Sequence, residues 1–421
     1  MTGDAWLGAA PQETLGYLLL DFNAYFASVE QQLDKNLRGR PVAVVPLMAD
    51  STCCIAASYE AKAFGVTTGV GVAQARRLCP ELVLIEARHA VYVEFHQRAL
   101  KVIDQVVPLQ EVLSIDEMRC ALPARWQSPS RARQIGVQLK EAICDELGAC
   151  MRTSVGIAPN GLLAKLASEM QKPDGLVILQ AQDLPAKIAA LPAQRLSGIG
   201  PRMAQRLAAY GVHSIGQLWQ LNPAQMRIIW GGVAGLDFYD RLRGLERRLP
   251  ARERQSITHS HVLPPHERTL AGALGVLDRL MQKAAMRLRK ENLLATAMYL
   301  GVRMVDRHKW SAEIRFAATN STPALLATLR DLWDKDFLML AQQKRQPLKV
   351  GIGLFGLRQP HQTTADLFEQ PTTRPDVAAV LDRLNQRFGK NTVYFGSAHH
   401  SRDSAPMRIA FNRIPDIETE A

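Results

Sequence analysis

The sequence predicts an α+β chain of several domains, on three observations. Two short apolar runs end in carboxylate, Leu18-Leu19-Leu20-Asp21 and Glu111-Val112-Leu113-Ser114-Ile115-Asp116-Glu117. Strand and helix patterns alternate as far as about residue 180, as in a mixed sheet covered by helices. Beyond residue 255, four strand patterns are interleaved with two long helical ones. A length of 421 residues has room for two to four domains, and an apolar fraction of 47% is ordinary for a globular chain with a sizeable core.

Taken in order, residues 1 to about 15 read as a loose leader. A strand is expected from Tyr17 to Leu20, a helix over Ala24 to Leu33, and a strand over Val42 to Val45 after the break Gly39-Arg40-Pro41. Cys53 to Val66 is rich in small residues. Within it Tyr59 and Lys62 are three apart, so on a helix they share a face. Ala73 to Leu78 reads as a short helix, Leu82 to Glu86 as a strand and Ala90 to Val106 as a helix leading to the second carboxylate run. A helix follows over 129–147, with Ile135, Val137, Leu139 and Ile143 apolar. Thr153 to Ala158 is a strand, and the helical stretch from Leu162 stops at Pro173. From 181 to 250 the chain changes to short helices. Gly198-Ile199-Gly200 before one of them exposes backbone N–H groups at a helix start, a nest that holds phosphate without reading sequence. Pro250 to Gln255 is a polar linker. Strands are expected over 256–263, 293–304, 310–317 and 347–357, with helices over 269–290 and 323–339 covering one sheet face. A helix over 376–388 lies in the tail.

Charge narrows the partners. The chain carries a formal +11, and residues 251–360 alone hold 18 Lys/Arg against 9 Asp/Glu. An anionic polymer is the expected partner, with its footprint in that segment. Arg303, Arg307, Lys309, Arg315 and Lys349 lie on or beside its strands. The six cysteines all precede residue 151 and show no CxxC spacing, which argues against zinc and for free thiols in a reducing compartment. No signal peptide or membrane span is visible, so a cytoplasmic location is expected.

The carboxylates carry the chemistry. A strand end has no structural use for Asp21 or for Asp116 beside Glu117, and a bare buried carboxylate costs several kcal/mol unless paired or metal-bound. If the two runs are neighbours in one sheet, three carboxylates meet. Oxygen ligands of this kind suit Mg²⁺, and two such ions serve in-line displacement at phosphorus. The plainer alternative is that Asp21 caps a helix and Asp116-Glu117 is a solvated strand end.

Asp21-Phe22-Asn23-Ala24-Tyr25-Phe26-Ala27-Ser28-Val29-Glu30 and Ser114-Ile115-Asp116-Glu117 resemble the two palm motifs of the Y-family translesion DNA polymerases. The resemblance implies a right-hand architecture. Its palm would be residues 16–25 and 90–180, its small fingers 26–89 and its helix-hairpin-helix thumb 181–250. A little finger of four strands and two helices would occupy 255–360, with a tail over 361–421. It implies two Mg²⁺ ions, with Mn²⁺ as a substitute, on Asp21, Asp116, Glu117 and the Phe22 carbonyl. Tyr25, Phe26, Tyr59, Lys62 and Lys172 would meet a dNTP. Phe26 falls on the steric-gate position, where a ring rejects a ribose 2′-OH; the alternative is a helix core residue. Lys165 belongs to the motif without a contact of its own. Gly198 and Gly200, with Arg303, Arg307, Lys309 and Arg315, would hold primer-template DNA.

In the tail, Leu367-Phe368 resembles a sliding-clamp docking peptide, with Thr364 in place of the usual Gln. Lys62 in Glu-Ala-Lys-Ala and the extension beyond the peptide resemble most closely the catalytic subunit of bacterial polymerase V, whose group also implies an accessory subunit or a recombinase filament as a partner. A nucleotide cyclase, and a DNA- and clamp-binding scaffold with weak catalysis, are the competing readings.

Overall fold

The computed structural model describes residues 14–50, 52–246, 255–342, 345–362, 377–389, 392–401, 404, 409 and 414. The chain divides into two compact units. One is Met1–Leu249 with Ile409–Ile414, the other Pro250–Arg408 with Pro415–Ala421. Most of the expected linker, and Thr364, Leu367 and Phe368, lie outside the described residues. Among the described residues, no helix is long and apolar enough to cross a membrane.

The first unit begins with β1 (Tyr17–Phe22) and α1 (Tyr25–Leu33). It continues through β2 (Val42–Val45), β3 (Ala56–Ala57), α2 (Tyr59–Ala63), α3 (Val72–Leu78), β4 (Val83–Glu86) and α4 (His89–Val106). Next come β5 (Leu109–Val112), β6 (Glu117–Ala121), α5 (Pro129–Leu147), β7 (Thr153–Ala158), α6 (Gly161–Met170) and β8 (Leu176–Ile178). The main sheet runs β5-β6-β1-β7-β8. β1 is antiparallel to both neighbours, and only β7 and β8 are parallel. Leu18, Leu19 and Leu20 are all buried because β1 is central and covered on both faces. A separate three-stranded sheet, β3-β2-β4, encloses its own small core with α2 and α3.

α5 starts with Pro129 in its first turn and ends at Gly148, whose φ of +105° favours glycine. Ile135, Leu139 and Ile143 recur every four residues and are buried. Val137 was expected among the apolar positions of this helix, but it points away from that stripe and is exposed. α7 (Pro201–Ala208), α8 (Ile215–Gln220), α9 (Pro223–Trp230) and α10 (Val233–Leu242) follow, with capping boxes at Ser214 and Asn222. They share one apolar cluster with α6.

The second unit contains β9 (Ser256–Val262), α11 (Leu270–Lys290), β10 (Ala295–Met304), β11 (Lys309–Thr319), α12 (Thr322–Gln342) and β12 (Pro347–Phe355). Its sheet is β11-β10-β12-β9, antiparallel throughout. Beyond the irregularity at Ala295–Ala297, even-numbered residues of β10 from Met298 and of β12 from Val350 join both helices in the core, which leaves the odd-numbered ones on the opposite face. α13 (Val377–Phe388) lies in the segment expected as a tail, yet it is held to α11. Arg289 grips Asp382 through two nitrogens at 2.6 and 2.9 Å.

Candidate active site

β1 delivers Asp21 opposite Glu117 of β6 and Ser154 of β7. The sequence reading has Asp116 and Glu117 closing a strand; the structure has Asp116 in a turn and Glu117 opening β6. The Leu113 and Ser114 N–H groups both donate to the Glu117 carbonyl, at 3.0 and 3.2 Å, and fold the run back on itself. Ser114 Oγ donates to Asp116 Oδ1 at 2.5 Å. The Phe22 N–H donates to the Asp116 carbonyl at 2.8 Å, tying the turn to β1. On the other side, Nδ1 of buried His96 bonds the Ile115 carbonyl at 2.8 Å. A carbonyl only accepts, so that nitrogen carries the proton. Burial holds the His96 pKa below its usual value and the ring neutral.

α6 brings the partners of the acids. It crosses β7 closely because Gly156 has no side chain; a Cβ there would lie 2.1 Å from the Ala164 carbonyl oxygen. Lys165 Nζ therefore reaches Asp21 Oδ2 and Glu117 Oε1, both at 2.7 Å, and Glu169 Oε1 at 3.0 Å. Lys172 Nζ reaches Asp21 Oδ1 and Glu169 Oε1, both at 2.7 Å. Sequence reasoning left Lys165 without a contact and did not single out Glu169. Both act through the crossing of α6 over β7, which no local spacing encodes.

Three carboxylates, Asp21, Glu117 and Glu169, thus hold two ammonium groups. Burial raises Asp116 above the usual carboxylate range, and the Asp21 charge adds to it although the Ser114 hydrogen bond opposes it. Burial raises Glu117 too, more than Lys165 lowers it. Glu169 goes the other way. Burial would raise it, but Lys172 and Lys165 outweigh that and draw it down to about 2. Burial opposes the charge on Lys165, yet Asp21 and Glu117 hold its pKa above the ordinary value. Lys172 is raised in the same way against burial, chiefly by Asp21.

Asn23 ties this end of the sheet to the loop after α6. Its Nδ2 donates to Ser154 Oγ at 3.0 Å, and its Oδ1 accepts the Asp174 N–H at 2.7 Å. The expected nucleotide residues divide. Tyr59 and Lys62 share a face of α2, with Lys62 Nζ 4.2 Å from the Tyr59 ring centroid. Burial, then the charge of Lys172, lowers the Lys62 pKa, so the two ammonium groups feel each other. Phe26 is half-buried and stacked on Tyr92 with centroids 4.5 Å apart. Tyr25 is buried, and its hydroxyl donates to the Tyr92 carbonyl at 2.7 Å, so that group is spent inside the fold.

Gly198 adopts φ +95° and Gly200 caps α7, with open space where a Gly200 side chain would stand. In the second unit Arg303 faces Lys309 on one side and Lys349 on the other, while Arg315 pairs with Ala297. Arg307 occupies the β10–β11 turn with φ +72°.

The donor set of Asp21, Asp116, Glu117 and a nearby main-chain carbonyl fits Mg²⁺, a hard cation that prefers oxygen. Among the described residues no three acidic, His or Cys side chains already form a cage. The carboxylates meet through lysine ammonium groups instead. Burial is the main cause that raises Asp116 and Glu117, so a cation bound beside them would favour their charged forms.

Two family descriptions match the chain, "impB/mucB/samB family" over residues 20–169 and its "C-terminal domain" over residues 254–367. DNA polymerase IV of Moorella thermoacetica is 35% identical over 386 residues, 90% of this chain and 94% of that protein. DNA polymerase IV of Halorhodospira halophila is 33% identical over 358 residues, 84% and 98% of the two chains. Among solved structures, a Y-family DNA polymerase chimera built on Dbh has TM-score 0.68 at 22% identity, covering 82% of this chain and all of that one. An insertion ternary complex of Dbh DNA polymerase has TM-score 0.56 at the same identity. These match the fold, and the more identical relatives carry the assignment. The chain belongs to the impB/mucB/samB family, the Y-family translesion polymerases, and is a DNA-directed DNA polymerase.

Proposed function

We propose that the chain extends a primer on damaged templates, with Asp21, Asp116 and Glu117 as its catalytic carboxylates and two Mg²⁺ ions as its cofactors. The observation that carries this is the register that sets Asp21 opposite Glu117, with Asp116 one residue away and both Asp116 and Glu117 raised mainly by burial. Bound there, the ions would activate the primer 3′-OH and neutralise charge on the triphosphate. The protein's own part is to orient. Ser114 and the Phe22 N–H hold Asp116. Lys172, with Lys62 and Tyr59 close by, offers positive charge to the phosphates of a dNTP. In this role Lys172 would let go of Asp21 and Glu169. Phe26, braced on Tyr92, stands at the sugar, and Tyr25 supports it from below.

In the same reading residues 16–25 and 90–180 are the palm, 26–89 the fingers, 181–250 the thumb and 255–360 the little finger. Gly198 and Gly200 would clamp a DNA backbone. Arg303, Arg307, Lys309 and Arg315 would hold primer-template, and Leu367 with Phe368 would dock on the sliding clamp. The proposed setting is the DNA-damage (SOS) response in the cytoplasm. The Moorella and Halorhodospira relatives are both named DNA polymerase IV, and grouping with the polymerase V catalytic subunit draws no support from them. Lys62 and the extension held by Asp382 are what favour it, and with it an accessory subunit or recombinase filament.

Incubating the protein with Mg²⁺, dNTPs and a primer-template tests the reading against its rivals. Templated extension is expected. A cyclic nucleotide product, or DNA binding with no extension even when clamp and accessory proteins are added, would replace it with the cyclase or the scaffold.

A further inference from the structure

The helix α4 carries a polar residue where its period asks for an apolar one. Tyr92, His96, Ala99 and Ile103 recur at helical spacing along one buried stripe of α4. His96 is 2% exposed, and its companions there are aromatic or aliphatic. A buried polar ring costs stability unless its hydrogen bonds are met. The Nδ1–H of His96 donates to the main-chain carbonyl of Ile115 at 2.8 Å, across 19 residues of sequence. Ile115 is itself buried, and a buried carbonyl without a donor is costly.

What this bond holds is the peptide that leads into Asp116. His96 fixes the carbonyl of that peptide, and its N–H, which is that of Asp116, donates to Ser114 Oγ at 3.4 Å. The next peptide is fixed as well, because the Asp116 carbonyl accepts the Phe22 N–H at 2.8 Å. The main chain is thus held on both sides of the Asp116 Cα, and the direction open to its carboxylate follows from that. Ser114 and Phe22 belong to the two carboxylate runs themselves. His96 comes from a separate helix, whose Val93, Ala99 and Ile103 are fully buried, so it ties the turn to a packed support. Leu113 to Glu117 contains no Gly or Pro that would set the turn by itself. Burial keeps the ring neutral, so the donor brings no charge of its own beside the acids.

We propose that His96 is a positioning residue of the active site, which acts through the Ile115 carbonyl to hold the Asp116 carboxylate in the direction that binds a divalent cation. The inference rests on the reading that Asp116 is a metal ligand. It adds a residue outside both carboxylate runs that governs how well this ligand binds. A group that orients a ligand without touching the metal commonly costs about tenfold or more in metal affinity when it is lost. The loss falls on the metal and not on DNA, because a buried ring offers DNA no surface to contact.

The full-length protein is bound to a dideoxy-terminated primer-template with the matching dNTP, so that nothing turns over, and titrated with Mn²⁺ by electron paramagnetic resonance. His96→Leu removes the donor and keeps apolar bulk. His96→Gln keeps an amide but carries it one bond further out. Each should weaken Mn²⁺ binding about tenfold or more. Each should also raise the Mg²⁺ concentration for half-maximal single-turnover extension by a similar factor, while primer-template affinity without metal stays close to that of the wild type. His96→Asn places an N–H at the reach of Nδ1 and should restore most of both losses. Wild-type Mn²⁺ affinity in the Leu or the Gln variant overturns the proposal. So does a loss in the Asn variant equal to theirs, or an equal loss of DNA affinity, which marks a general loss of fold. If the Leu variant does not fold, the Gln and Asn pair decides alone. Asp116→Asn is titrated beside them. If it binds Mn²⁺ as the wild type does, the reading of Asp116 as a ligand fails and the inference with it. If it loses the metal while the His96 variants keep it, the inference alone fails.

Discussion

Asp116, one of the three proposed catalytic acids, weighs on the fold that holds it. A carboxyl whose folded pKa is raised stabilises the fold below its unfolded pKa and loses that contribution as pH rises through the folded value. At neutral pH Asp116, raised mainly by burial, therefore weakens the metal-free protein. Asp116→Asn keeps an acceptor for Ser114 and removes the charge. Without metal, its melting temperature at pH 7 should equal or exceed that of the wild type, and the difference should shrink at pH 4. Glu169 has the opposite sign. Its folded pKa of about 2 means that its contribution is present above the unfolded value and is lost as pH falls toward 2. Glu169→Gln should therefore lower the melting temperature at pH 7, and an unchanged value would contradict the ion-pair account. Phe26 is half-buried on Tyr92 yet still presents a surface, which leaves room for both of the roles that the sequence opens to it. Phe26→Ala should cost less than the ~3–5 kcal/mol of a fully buried phenylalanine. It should also raise ribonucleotide incorporation about tenfold or more, because a 2′-OH would no longer be left against an apolar ring. Paired dNTP and rNTP incorporation assays with a thermal melt separate the two effects.

At the scale of elements, β1 was legible because three leucines and a carboxylate have few other uses. The turn at Asp116 was not. It contains no Gly or Pro, and it closes through a bifurcated bond to the Glu117 carbonyl and the Ser114 side chain, which the residue pattern does not announce. Lys165 was missed for a different reason, since its partner Asp21 is 144 residues away and the contact exists only because α6 crosses β7 over Gly156. The strands of the second unit were legible to within a few residues at each end from their alternation. The row of Arg303, Lys309 and Lys349 needed the register. Replacing all three with Ala should flatten the slope of log affinity against log salt by about 2.7 on duplex DNA, at roughly 0.9 per phosphate contact. The melting temperature should not fall, because a like-charge row is being removed. An unchanged slope would remove these residues from the DNA footprint.

At the scale of the whole molecule, charge and chemistry are divided. The acids and their lysines lie in the first unit, and residues 251–360, which contain the sheet of the second, hold 18 Lys/Arg against 9 Asp/Glu. Residues expected as a free tail are partly reclaimed by the second unit through Arg289 and Asp382. Composition could not reveal this, because an ion pair 93 residues apart looks like two solvated charges. Leu367→Ala with Phe368→Ala should leave synthesis without clamp unchanged and remove stimulation by it. A docking peptide acts through effective concentration and not through chemistry. Equal clamp affinity for variant and wild type would end that assignment.

The most direct test of the central claim is the single-turnover rate of primer extension by Asp116→Asn, measured with Mg²⁺ beside its affinity for primer-template. Loss of extension with DNA affinity and melting temperature preserved is the expected result. Extension at the wild-type rate would show that the carboxylates of β1 and the β5–β6 turn are not the catalytic group.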